Sequence, residues 1–153
     1  MTTPPPSPNP LADPTVTEDL VPVAVRAVGA EFATAVTCLA LVTWGTVQLA
    51  AGVTATGPEQ VDPNAAYVNL LLFGTVGTLP ITGFVGWRLM QPIVNTWRRL
   101  GVTVVGVLGG MVIGMLATFA VRELGGPMAL LALAALAALL AMRLARAARR
   151  VAP

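Results

Sequence analysis

The 153-residue chain has no histidine, one cysteine and no lysine, since all nine of its basic residues are arginine. Without histidine, a His-ligated haem, a His-containing zinc site and a histidine general base are excluded. Without lysine there is neither a Schiff-base amine nor a P-loop. Cys38 has no second cysteine with which to form a disulfide or share a metal, and no histidine to activate it. It reads as a small apolar residue packed in a helix. The only serine, Ser7, lies in a proline-rich leader, and no aspartate falls inside an apolar run, so an embedded serine nucleophile and an aspartyl dyad are excluded too. The expectation is a non-enzyme without cofactor or metal.

Charge is also scarce. Only 10% of residues are charged against 56% hydrophobic, and the mean hydropathy is +0.78. A soluble domain of this size keeps about a quarter of its residues charged to cover its core. The class that remains is an integral membrane protein. A net charge of +2 with clustered arginines marks membrane orientation rather than a nucleic-acid surface. The arginine-only basic set, with its load of alanine, valine, glycine and leucine, points to a GC-rich bacterial genome.

Residues 1–22 hold seven of the thirteen prolines and few apolar residues, and they read as a disordered cytoplasmic tail. Four apolar runs follow, giving an all-α, four-helix transmembrane bundle over residues 23–150. The expected helices are 27–53, 65–90, 101–121 and 127–148, each near the roughly 20 residues that cross a bilayer. The stretch 54–64 is a water-exposed loop. Pro80 should kink the second helix, with nearby threonines available to satisfy the carbonyls it frees. Residues 91–100 form an inner loop with Asn95 and Thr96 as caps. Arg122 to Gly126 make a tight turn before Pro127, which suits a first helical position.

With the amino terminus inside, eight arginines face the cytoplasm (Arg26, Arg88, Arg98, Arg99, Arg143, Arg146, Arg149 and Arg150) and only Arg122 faces outward. This bias puts both termini in the cytoplasm of a bacterial inner membrane. Trp87 and Trp97 flank the inner loop, whereas Trp44 lies deeper and should pack on a helix or a lipid tail.

The most specific pattern is Gly106, Gly110 and Gly114, spaced by four so that two backbones can approach closely. Its partner is either another helix of this chain or a second protein. Helix four offers a small face of Ala134, Ala138, Ala141 and Ala145. Helix two interleaves Gly74, Gly77, Gly83 and Gly86 with threonines. Glu31 is the one acid within an apolar run, a position that suggests a proton or cation site. Near the start of its helix it could instead reach the interface or the positive end of the helix dipole. Gln48 is similarly ambiguous. Arg143, Arg146, Arg149 and Arg150 anchor helix four to lipid headgroups. Two functions follow from these residues. One is a non-catalytic accessory or scaffold subunit of a larger inner-membrane complex, or a homo-oligomer, whose partners are the bilayer, other membrane subunits or itself. The other is a small transporter or channel coupled through Glu31.

Overall fold

A computed structural model describes residues 14–56, 63–93 and 95–149. Within them the chain is all helical, with three helices and no strand: α1 (Pro14–Thr56), α2 (Pro63–Leu89) and α3 (Thr96–Arg149). Two stretches, Val21–Leu49 of α1 and Thr96–Ala148 of α3, are long and apolar enough to cross a membrane.

α3 replaces two expected helices with one element broken at a single residue. Gly126 has φ 67° and ψ −168°, and Pro127 follows it as the first residue of the second arm. A side chain would disfavour that left-handed φ, and proline supplies no N–H to bridge the break. The expected turn over residues 122–126 is therefore confined to Gly126. Straight, α3 would run for about 80 Å at 1.5 Å per residue. Instead Val102 of the first arm and Leu144, Ala145 and Ala148 of the second all pack on Ala27, Ala30, Leu89 and Met90. The second arm therefore folds back along the first.

Paired contacts give the directions. Gly74 meets Val42 and Gly86 meets Glu31, so α2 runs antiparallel to α1. Gly110 meets Ala35 and Gly114 meets Leu39, so the first arm of α3 runs parallel to α1. The second arm returns antiparallel, with Gly29 against Leu144 and the Arg26 guanidinium donating to the Ala147 carbonyl at 3.3 Å. That bond places a cation at the C-terminal end of α3, where free carbonyls carry partial negative charge.

Several boundaries differ from the sequence reading. α1 begins at Pro14, inside the stretch expected as a tail, and continues through Pro22. Val23, Ala27 and Ala30 are already buried on one face, so packing extends the helix past the point where hydropathy alone would start it. Residues 1–13 of the expected tail lie outside the described residues. The inner loop is shorter than 91–100. Met90 and Ile93 close a turn, and the Asn95 side chain accepts the Trp97 N–H at 3.1 Å, capping α3 at Thr96.

On the second arm, Leu130, Ala134, Ala137 and Ala148 are the buried residues, whereas Ala138, Ala141 and Ala145 are half-buried. The inward row thus follows alternating steps of three and four. The expected alanine face is rotated slightly from it.

Candidate functional site

Glu31 stands about 25 Å along α1 from Pro14, at 1.5 Å per residue. The expectation that it lies near a helix end, within reach of the dipole, is therefore corrected. Its residue is 0% exposed, and neither carboxyl oxygen has a hydrogen-bond partner among the described residues. The side chain projects from α1 into the junction where α2 and the first arm of α3 converge. A methyl built on Gly86 would coincide with Glu31 Oε1, and one built on Gly106 would coincide with Oε2. The carboxyl thus fills space that two missing side chains leave open.

Above this junction the glycine row continues against α1. A methyl on Gly110 would lie 3.2 Å from both the Ala35 Cβ and the Phe32 Cα, and one on Gly114 would lie 2.7 Å from Leu39 Cδ1. The Phe32 ring covers Gly109 at 2.8 Å from its built methyl position. Gly106, Gly110 and Gly114 therefore receive Glu31, Ala35 and Leu39, two rows of spacing four fitted together. Between helices in lipid, such close backbone approach supplies packing that hydrophobic drive does not. This row, read from the sequence as open to either partner, faces α1 of the same chain.

α2 brings a second row to α1: Gly74, Thr78, Thr82 and Gly86, again spaced by four. Thr78 and Thr82 are buried and donate to the carbonyls of Gly74 at 2.7 Å and Thr78 at 2.5 Å. Those bonds return to the preceding turn, as threonine hydroxyls in a helix can, and neither reaches the Val76 carbonyl freed by Pro80. Thr46 and Thr118 bond back in the same way, to Val42 and to Gly114. The interior is thus lined by glycine, alanine and self-satisfied threonine. Exceptions are the Thr43 hydroxyl and the Trp44 indole N–H, which are buried without partners. Trp44 is half-buried in α1, in line with helix packing, and Gln48 is exposed.

Two features at the arginine-rich end escaped the sequence reading. The Arg99 guanidinium lies 3.7 Å from the centre of the Trp87 ring and also donates to the Trp87 carbonyl, clasping the end of α2 to the start of α3. Thr103 donates to the buried Met90 sulfur at 3.5 Å. A cleft of about 290 Å³ opens between α2 and the second arm, with Thr34 and Phe84 in its wall and Arg88 beside it. Arg143 and Arg146 are exposed, while Arg150 and the Arg149 side chain lie outside the described residues. Cys38 is a half-buried free thiol. Among the described residues no group of histidine, cysteine or carboxylate side chains could hold a metal.

Comparison of the chain with known protein families, with characterised proteins and with solved structures found no match.

Proposed function

We propose that the protein is a small multi-pass membrane protein of four spans, the break at Gly126 dividing α3 into two of them. Both termini lie in the cytoplasm of a bacterial inner membrane. In this reading it is a non-catalytic subunit of a membrane assembly, or associates with itself. The observation that carries the membrane assignment is the inversion of its surfaces. Phe73, Val76, Phe84, Val105, Leu108, Leu116 and Leu136 are exposed, while the buried set is dominated by alanine, threonine and glycine. A water-soluble monomer rarely exposes an apolar area of that extent. Arginine placement supports the orientation: Arg26, Arg88 and Arg99 surround the end where Ala27, Leu89, Met90 and Ala148 cluster, and Arg122 lies towards the opposite end beside Gly126.

A notch on the outer face of α2 supports the subunit role. Gly77 is exposed with nothing over it, between Phe73 and Phe84 on the same face, a groove into which a ridge of another helix fits. Reporter fusions test the membrane reading: one after Pro153 reads cytoplasmic and one near Gly57 reads external, and the reverse at either site overturns it. Purification in mild detergent tests the subunit role, which requires a second protein or a second copy to co-migrate and Gly77→Leu to release it.

One observation favours a second reading, a small transporter or channel: the two unpartnered oxygens of Glu31. Uptake into proteoliposomes that Glu31→Gln abolishes would select it over the subunit.

A further inference from the structure

We propose that Glu31 is a proton-binding site closed by helix packing, one that holds its proton while α2 and the first arm of α3 are seated on α1 and releases it only when one of them moves away. The inference rests on the membrane-bundle reading above, and goes beyond it by naming the ligand and the device that encloses it.

Three observations converge on the proton. The first is the lack of donors: among the described residues neither oxygen has a hydrogen-bond partner, so an ionised carboxylate would be buried with no protein donor to stabilise it. The second is the lack of opposite charge among the described residues. α2 presents Gly86 to the carboxyl, and its nearest charged residue, Arg88, is exposed. The first arm of α3 presents Gly106 and has no titratable residue between Arg99, which is engaged by Trp87, and Arg122. On α1, the Arg26 guanidinium bonds to Ala147, and on the second arm Arg143 and Arg146 are exposed. None of these is a hydrogen-bond partner of Glu31.

The third is size. The two oxygens occupy the positions that methyl groups on Gly86 and Gly106 would take, so no room remains between the backbones for a metal or ammonium ion. A proton needs no such room. Release breaks one Oε–H bond, passes the proton to water that enters as the helices part, and leaves the carboxylate. Closed packing and proton occupancy are then linked, since a ligand bound by only one of two states shifts their balance.

Infrared spectroscopy of the full chain in lipid vesicles at neutral pH tests this. We expect a carboxylic-acid C=O band that is absent from Glu31→Gln. A variant in which Asp13, Glu18, Asp19, Glu59, Asp62 and Glu123 are amides should retain the band, which keeps the test readable if Glu31→Gln fails to fold. On transfer to heavy water the band should shift slowly, and about tenfold faster in Gly106→Ala, where the added methyl forces the carboxyl out. Absence of the band in both the parent chain and the six-amide variant would overturn the proposal, as would an isotope shift as fast as that of an exposed acid. The topology reporters are indifferent to the state of Glu31, so failure of the membrane reading and failure of the proton site are told apart.

Discussion

The two arms of α3 lie against the same helix but meet it by different means. The first arm brings Gly106, Gly110 and Gly114 to α1, and into those gaps go a carboxyl, a backbone turn and a leucine tip. On the second arm Ala148 packs with Ala27 and Ala30 and Leu144 covers Gly29, contacts in which side chains hold the backbones at least a methyl apart. The glycine contacts leave little slack, least at Gly110, where the Phe32 backbone and the Ala35 methyl face it and no side-chain tip can move aside. Alanine contacts near a helix end can give by a few tenths of an ångström. The first arm is therefore the rigid half of the interface, and it is the half that encloses the acid.

Substitutions that enlarge each arm should separate the two. The largest effect is expected for Gly110→Leu, which drives a side chain into Ala35 and the Phe32 backbone. The cost should reach or exceed the upper end of the 1–3 kcal/mol typical of overpacking. Thermal melting in detergent should show a severe loss or no folded protein, and parent-like melting would mean that this face is not packed. Gly86→Ala should follow, at about 2 kcal/mol, since its methyl competes with a carboxyl that can rotate. On the second arm, Ala148→Leu should cost about 1 kcal/mol, because the last turn of α3 can shift outward. If Ala148→Leu proves as damaging as Gly110→Leu, the two arms are equally rigid and the contrast fails. Arg99→Ala should destabilise only slightly, by about the 0.5–1 kcal/mol of a cation–π contact near the surface, read as a small drop in melting temperature. Val112→Leu, on the exposed face of the first arm, should change nothing.

The same contrast governs what could be read from the residues alone. The glycine row of the first arm was legible because three glycines at a spacing of four have few other uses in an apolar helix. Asn95 was legible as a cap, and Gly126–Pro127 as a break, because their backbone preferences are local. The role of Gly86 was not. In a helix apolar on every side, hydropathy does not mark the inward face, and it does not separate Gly74 and Gly86, which meet α1, from exposed Gly77. Only the tertiary contacts with Val42 and Glu31 of α1 distinguish Gly74 and Gly86 from exposed Gly77. The start of α1 was misplaced for a related reason. Pro22 breaks the hydropathy pattern but not the packing of Val23 and Ala27. Glu31 is legible as the one acid within an apolar run, but its burial depends on Gly86 and Gly106, which lie more than fifty residues away in sequence.

The Glu31 carboxyl occupies the space that Gly86 and Gly106 leave open, and a double-mutant cycle between Glu31→Ala and Gly106→Ala measures that contact. Melting in lipid nanodiscs should show Gly106→Ala costing on the order of 2 kcal/mol in the parent chain, because the new methyl and Oε2 contend for one position. In the Glu31→Ala background that position is empty. There the same methyl should cost little or add stability by filling the void. An equal cost in both backgrounds would show that Glu31 and Gly106 do not meet.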